Sequence, residues 1–247
     1  MIPPPYPTVA SNEIGWLTEE QMIEVDRIMI EGLHIELMQM MENAGRNLAR
    51  LVLDGLDAER PARVVVFAGS GGNGGGGLVA ARHLLNAGVD VAVVLSRPAT
   101  ELRGVPRHQL DILERMHATI SHESMPWEAN GIDVVIDALI GYSLAGAPHS
   151  RAKTHIETIN ALREGSGSTV VSLDTPSGLD VDTGQALGVA VSANATMTLA
   201  LPKVALRQAE QVGQLYLADI SVPPSTMQSL GAQPPDFSAS SILRITT

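Results

Sequence analysis

The strongest constraint on the fold is a run of glycines that directly follows an apolar, β-branched segment. Residues 64–68 have the sequence Val-Val-Val-Phe-Ala, and seven of the nine residues from Gly69 to Gly77 are glycine. This pattern predicts a buried parallel strand, a tight glycine turn, and a helix over 78–86 that ends at Gly88. Strand, turn and helix in this order are typical of an α/β fold.

The glycine turn is suited to a phosphate or pyrophosphate group. Backbone N–H groups without a neighbouring Cβ can approach a ligand closely, and a helix N-terminus adds partial positive charge. Gly69, Gly71 and Gly74 also have the dinucleotide-binding spacing G-x-G-x-x-G, although so many glycines make some match expected. The alternative is a tight strand-to-helix turn without a ligand.

Composition restricts the partners. The chain has 247 residues, 45% of them hydrophobic, a net charge of −11, and no cysteine. We expect one large domain that binds small molecules or proteins, and neither nucleic acid nor membrane, because no run of Lys or Arg is present. The absence of cysteine and of a signal-peptide pattern predicts a cytoplasmic protein.

Proline content and apolar periodicity divide the chain into three parts. Residues 1–16 are predicted to be an N-terminal arm that lies over the surface or across a partner subunit. Thr18 and Gln21 have the spacing of a capping box, so one globular domain is expected from residue 17 to residue 231. Residues 232–247 are expected to be a loosely structured tail.

Apolar segments that alternate with helical segments continue along the domain without an internal repeat. Strands are predicted at 89–95, 118–120, 133–139, 169–173, 196–201 and 215–220. Alternation of this kind predicts a single doubly wound, mainly parallel sheet. The ligand site of such a sheet lies at the carboxyl edge of the strands.

Two aspartates stand at predicted strand ends. Asp137 lies near the end of the apolar segment 133–139, and Asp174 follows the segment 169–173 at the start of Asp-Thr-Pro-Ser-Gly, which contains Ser177. A carboxylate at a buried strand end requires a hydrogen bond, an ion pair or a cation. The alternatives are a loop cap for Asp137 and an Asx turn for Asp174 and Ser177.

The end of the second strand differs from that of a standard NAD dehydrogenase. Such enzymes have an acidic residue there for the ribose 2′-hydroxyl, whereas this chain has Ser96 and Arg97. Arg97 is interpreted either as a contact for a 2′-phosphate or as an exposed loop arginine.

Taken together, these stretches resemble the NAD(P)H-hydrate epimerase family, also called the YjeF N-terminal domain family. The resemblance begins in the segments 17–22 and 41–46 and covers most of the chain. It continues through the glycine turn, the segment 137–141 and the segment 174–184, and ends near Val222. It implies a Rossmann-like three-layer α/β/α sandwich, a homodimer, and an isomerase that interconverts the R and S forms of hydrated NADH or NADPH.

The resemblance also implies a nucleotide site and a potassium site. The nucleotide site would consist of Gly72, Asn73, Gly74, Gly75, Gly76, Gly141, Tyr142, Ser143, Leu144, Ala145, Gly146, Ala147 and Asp174. Potassium would be held by oxygen atoms of Asn73, Asp137 and Ser177.

The implied chemistry needs a carboxyl group. Protonation of the substrate hydroxyl lets the neighbouring ring nitrogen expel it as water, which leaves a planar iminium to which water can return on either face. One carboxyl group that gives a proton and takes it back could serve both half-steps. The hypothesis is that Asp174 is this group and that the cation keeps Asp137 ionised.

The sequence departs from the family pattern at four positions. The usual turn is similar to G-x-G-N-N-G-G-D-G, but Gly72 replaces the first Asn and Gly76 replaces the Asp. Ala145 stands where Lys or Arg is common, and His149 where Arg is usual. Two further interpretations follow from these changes: a divergent enzyme with another substrate, or a non-catalytic module similar to the dimerisation domain of an mRNA-decapping scaffold protein.

Overall fold

A single sheet of nine strands organises the part of the chain that the computed structural model describes, residues 6–57, 59–122, 124–144 and 146–246. The strands are β1 Thr8–Ala10, β2 Arg63–Ala68, β3 Asp90–Leu95, β4 Thr119–Ser121, β5 Val134–Ala138, β6 Thr169–Leu173, β7 Ala195–Leu199, β8 Gln214–Ala218 and β9 Ile242–Thr246. Their order is β1-β9-β8-β7-β6-β5-β2-β3-β4, and only the β8–β9 pair is antiparallel. The predicted mainly parallel sheet is therefore confirmed.

Helices cover both faces of this sheet. They are α1 Glu19–Arg27, α2 Leu37–Gly55, α3 Gly72–Asn86, α4 Gly104–Arg115, α5 Ser150–Gly165 and α6 Pro224–Ser229. Helices α2, α3 and α4 pack on one face, where their leucines meet alternate strand residues such as Val66 and Ile136. Helix α5 packs on the opposite face against Val65 and Val135, and α1 packs there against Leu217 of β8. The fold is thus a three-layer α/β/α sandwich.

The order of strands reverses between β2 and β5. From β2 the chain proceeds outward through β3 and β4, and then returns to place β5 on the other side of β2. Beyond β5 the strands β6, β7 and β8 follow in sequence. The chain therefore leaves the carboxyl ends of β2 and β5 toward helices on opposite faces of the sheet, and a crevice opens between them at this edge.

The two chain ends both contribute strands. β1 in the predicted arm pairs in parallel with β9 in the predicted tail, and β9 pairs with β8. The expectation of a loosely structured tail is wrong for this part of it, because alternate β9 side chains such as Leu243 are buried in the core. The domain boundaries at residues 17 and 231 stay a prediction.

Helix α3 begins at Gly72, within the glycine run, six residues before the predicted start at residue 78. Four consecutive glycines, 74–77, form its first turns and are buried. A Cβ on Gly74 would lie 1.9 Å from the carbonyl oxygen of Gly69, and one on Gly77 would lie 2.5 Å from Ala138 Cβ. Close packing of the helix against the sheet therefore requires glycine, and this requirement outweighs the low helix propensity of the residue.

We expect Gly74→Ala to lower the stability of the protein far more than Gly72→Ala. The added methyl at Gly74 has no space, so the free energy of unfolding should fall by about 3 kcal/mol. The same methyl at Gly72 would meet only Met41 Cε, at 3.5 Å, and should change stability by less than about 1 kcal/mol. Urea unfolding of both variants tests this, and equal losses would contradict the packing argument.

A second prediction concerns His155, which is buried on α5 with its ring centre 5.3 Å from that of Phe67. Burial, with a smaller contribution from Arg151, lowers the His155 pKa to about 4. In the unfolded chain His155 therefore binds a proton below about pH 6.5, whereas in the folded chain it binds one only below about pH 4. The free energy of unfolding should fall by about 2 to 3 kcal/mol across this interval as the pH falls.

The variant His155→Leu isolates this effect. Its unfolding free energy, measured by urea titration at several pH values between 7 and 4, should have a smaller pH slope than that of the unaltered protein. Identical slopes would show that His155 does not cause the loss.

Candidate functional site

A cleft of about 560 Å³ lies at the carboxyl ends of β2, β3, β5, β6 and β7. Its floor contains the glycine turn and the loop after β5, and α1 and α2 form a wall with Met22, Leu37 and Met40. One side of the cleft is therefore apolar, and the sheet edge supplies its polar groups. This is the position that the reversal in strand order predicts for a ligand.

The cleft brings together most of the residues predicted to bind a nucleotide. Its lining includes Gly72, Asn73, Gly76, Gly141, Tyr142, Ser143, Leu144, Gly146, Ala147 and Asp174. Gly74 and Gly75 do not line it, because the start of α3 turns them toward Gly69 and Met41. Ala145 lies outside the described residues.

Asp174 is held at the cleft by a fully buried lysine. The Lys203 ammonium donates to Asp174 Oδ1 and, at 3.2 Å, to the carbonyl oxygen of Leu199. Asp174 itself has a left-handed backbone, with φ of 66°, and its N–H donates to the carbonyl oxygen of Met197 at 2.7 Å. A left-handed backbone is uncommon for a residue other than glycine, and such conformations cluster at functional sites.

A second pair lies beside this one. The Tyr142 hydroxyl donates to Asp26 Oδ2 at 2.5 Å, and Lys203 Nζ lies 5.8 Å from the centre of the Tyr142 ring. Burial is the main cause that raises the pKa of Asp26; the charge of Asp174 also raises it, while Tyr142 and Lys203 lower it. Burial and the neighbouring Asp26 raise the pKa of the Tyr142 hydroxyl. The cleft thus contains two carboxyl groups connected through a tyrosine and a lysine.

Sequence reasoning missed both Lys203 and Asp26 as site residues. Lys203 follows Pro202 between apolar segments, and a lysine in such surroundings must find a counter-ion if it is buried. Asp26 lies on α1 directly after the buried Val25, which places it beside the apolar stripe of that helix. These signals exist in the sequence, but neither of them identifies the residue with which Lys203 or Asp26 interacts.

Asp137 and Ser177 form a separate, fully buried cluster beneath the cleft. Asp137 Oδ1 accepts the Ser177 hydroxyl at 2.5 Å, and Oδ2 accepts Ser172 Oγ at 2.8 Å and the Ser177 N–H at 2.9 Å. Burial raises the pKa of Asp137, and the Ser177 hydrogen bonds oppose that shift. Within the described ranges Asp137 forms no ion pair, so its charge is met by neutral donors alone.

The third predicted cation ligand, Asn73, lies at the N-terminal turn of α3. The Cβ position of Gly141 lies 3.4 Å from Asn73 Cγ, and the amide Nδ2 of Asn73 is buried without a hydrogen-bond partner. The nitrogen and oxygen of an amide are distinguished only by their hydrogen bonds, so nothing fixes the orientation of this one. Asn73, Asp137 and Ser177 thus offer oxygen ligands and lack a positive charge, which is compatible with a hard cation.

No cluster of three or more His, Cys, Asp or Glu side chains suited to a metal occurs among the described residues. None of the helices in these residues is long and apolar enough to cross a membrane.

The end of β3 forms the far side of the cleft. Ser96 and Arg97 both line it, and Arg97 Nη1 lies 3.4 Å from Glu101 Oε2 in an exposed pair. An exposed pair of this kind contributes little stability, so Arg97 is available to a ligand. Both interpretations of Arg97 remain compatible with this position.

Residues 37–205 match the family described as YjeF-related protein N-terminus. The chain belongs to this family. Among its relatives in the YjeF-related family, the NAD(P)H-hydrate epimerase of Dehalogenimonas lykanthroporepellens is 42% identical over 227 residues, which cover 92% of this chain and 90% of the relative. The NAD(P)H-hydrate epimerase of Truepera radiovictrix is 38% identical over 199 residues, which cover 81% of this chain and 86% of the relative.

Other members of the YjeF-related family are longer. The bifunctional NAD(P)H-hydrate repair enzyme Nnr of Thermofilum pendens is 38% identical, but this chain spans only 40% of its length. Among solved structures, yeast ynu0 (YNL200c) superposes with a TM-score of 0.82 over 93% of this chain and 99% of its own, at 24% identity. That similarity supports the three-layer fold.

Proposed function

We propose that the protein is an isomerase that interconverts the R and S forms of hydrated NADH or NADPH. The observation that carries this proposal is the placement of the Asp174 carboxylate in a cleft whose floor contains the glycine turn. Relatives that are 38–42% identical over most of their length are named NAD(P)H-hydrate epimerases, which supports the same assignment. The cleft volume of about 560 Å³ suits a small-molecule ligand.

The chain's own residues suggest how the reaction proceeds. The N-terminus of α3 and the N–H groups near Gly72 and Asn73 favour a pyrophosphate at the turn. The apolar wall of Met22, Met40 and Met41 lets one end of the substrate lie out of water. Asp174 would then give a proton to the substrate hydroxyl, so that the ring nitrogen expels water and an iminium remains.

We propose that Asn73, Asp137 and Ser177 hold a potassium ion. The bound ion would supply positive charge beside the buried Asp137 carboxylate and fix the loop after β5. Support comes from the oxygen-rich donor set, the unpartnered Asn73 amide and the absence of an ion pair to Asp137 within the described segments. The residues fit the ion.

Replacement of potassium by choline should therefore lower the melting temperature. At a concentration 100-fold above the dissociation constant, a bound ion contributes about 2.7 kcal/mol, which corresponds to roughly 5 to 10 °C in a chain of this length. Asn73→Ala should melt at the same temperature in both salts. Equal melting of the unaltered protein in potassium and choline would contradict the site.

We further propose a cytoplasmic homodimer. Exposed apolar side chains of α1, of the segment that follows it and of the start of α2, at Ile23, Leu33 and Met38, offer a surface that a second copy could cover. The absence of cysteine from the chain suits a reducing compartment. Light scattering tests the dimer, and a mass equal to one chain would exclude it.

The deciding experiment is epimerisation of purified R-form hydrated NADPH, coupled to a dehydratase specific for the S form, in potassium buffer. Turnover above the spontaneous rate supports the proposal. A divergent substrate is the second candidate, favoured by Gly72 and Gly76, which line the cleft without side chains where the family usually has Asn and Asp. A folded protein that binds a nucleotide without turnover would favour that candidate.

A further inference from the structure

Inversion at one carbon sets a geometric demand on the proposed reaction. The hydroxyl leaves as water from one face of the substrate ring, and the returning water must approach the opposite face. A proton donor works within hydrogen-bond reach, about 2.6 to 3.2 Å between heavy atoms, so a carboxyl group beside one face does not reach the other. One carboxyl group therefore assists directly on one face only, and a second group on the other side of the ring would assist the step there.

Two carboxyl groups line the cleft among the described residues, Asp174 and Asp26. They come from different walls, since Asp174 follows β6 at the sheet edge and Asp26 belongs to α1. They do not contact each other. Lys203 contacts Asp174, and Tyr142, whose ring lies 5.8 Å from Lys203 Nζ, donates to Asp26.

The surroundings of the two groups differ in a way that separates acid from base. Asp174 has its counter-ion, Lys203, in direct contact. Among the described residues, the Asp26 carboxyl is hydrogen-bonded only to the neutral Tyr142 hydroxyl. Burial together with the charge of Asp174 raises its pKa against the lowering effects of Tyr142 and Lys203. Paired carboxyl groups in unequal surroundings are how other sites divide proton donor from proton acceptor.

We propose that Asp26 is a second catalytic acid–base group that faces Asp174 across the substrate ring, and that Tyr142 positions it. This inference rests on the proposed epimerase function. It extends the mechanism from one carboxyl group to two, each serving one face of the ring.

Each step balances. Protonated Asp26 gives its proton to the hydroxyl, the C–O bond breaks with its electron pair on the departing water, and the ring nitrogen lone pair forms the C=N bond. Water adds to the same carbon from the Asp174 side, the C=N pair returns to nitrogen, and Asp174 takes the released proton. The reverse reaction exchanges the two roles, and solvent resets both groups between turnovers in one direction.

The test separates inversion from hydroxyl exchange in ¹⁸O-water. Each epimer is incubated with the unaltered protein, Asp26→Asn, Asp174→Asn and the control Glu20→Gln, which alters an exposed carboxyl group on the same helix. Formation of the opposite epimer measures inversion, and ¹⁸O in the unconverted epimer measures loss and return of water on one face. Reactions without protein give the spontaneous rates.

We expect Asp26→Asn to lower inversion about 100-fold or more. In this variant, exchange should persist within about tenfold of the unaltered rate in the epimer whose hydroxyl lies on the Asp174 side of the ring. In Asp174→Asn, exchange should persist in the epimer whose hydroxyl lies on the Asp26 side. The Asn amide oxygen can still accept from Tyr142, and cooperative urea unfolding confirms that the variant is folded.

Three outcomes would overturn the inference. Unchanged inversion in Asp26→Asn would remove any catalytic role, and a parallel loss of inversion and of exchange in both epimers would show a structural role only. Absence of inversion by the unaltered protein would remove the proposed function itself, and this inference with it.

Discussion

Asp174→Asn should lower kcat/KM for epimerisation at least 100-fold while the protein stays folded. General acid–base groups contribute about 10²- to 10⁴-fold, and an amide at this position can neither give nor take the proton. The buried Lys203 would lose its counter-ion but keep hydrogen bonds to Leu199 at 3.2 Å and Thr198 at 3.5 Å. A coupled assay with hydrated NADPH measures the loss.

Asp180→Asn is the matched control for this variant. Asp180 lies in the same segment after β6, but its carboxylate accepts from the N–H and hydroxyl of Thr183 and does not line the cleft. Its activity should stay within about threefold of the unaltered protein. Retained activity in Asp174→Asn would rule out Asp174 as the acid.

Lys203→Met should lower the free energy of unfolding by about 3 to 5 kcal/mol, because it leaves the buried Asp174 carboxylate without its partner. Lys203 is 0% exposed and the Asp174 side chain 5%, so solvent compensates little for the lost ammonium. Methionine has a similar length and fills the same space. Urea unfolding near pH 7 measures the change.

The double variant Lys203→Met with Asp174→Asn separates charge from packing. Without a buried carboxylate the penalty for the missing ammonium disappears, so the double variant should be more stable than Lys203→Met alone. If the stability loss of the double variant equals the sum of the losses of the two single variants, the pair is not energetically coupled.

The sequence was sufficient to locate the edge of the sheet that carries the cleft. Asp137 lies near the carboxyl end of β5 and Asp174 directly follows β6, and parallel strands end at one edge, so their placement follows from strand order alone. The contact between Asp174 and Lys203 did not follow, because it depends on how the chain after β7 turns back across the sheet edge. No local pattern encodes such a return.

The residue at which α3 begins could not be predicted from the sequence, for a different reason. Four consecutive glycines argue against a helix on propensity, and only the neighbouring Gly69 carbonyl and Ala138 Cβ explain why no larger residue fits. Tail strand β9 was missed because one of its pairing partners, β1, lies at the other end of the chain. In both places, tertiary packing outweighed the local signal.

The glycine start of α3 also links the ligand turn to the folding of the whole domain. Four glycines in place of alanines make a helix less favourable by about 3 to 4 kcal/mol, so these turns have no stability of their own. They are stabilised by packing against α2 and β5. The start of α3 is therefore expected to unfold together with the core rather than separately, which ties the floor of the cleft to the stability of the sheet behind it.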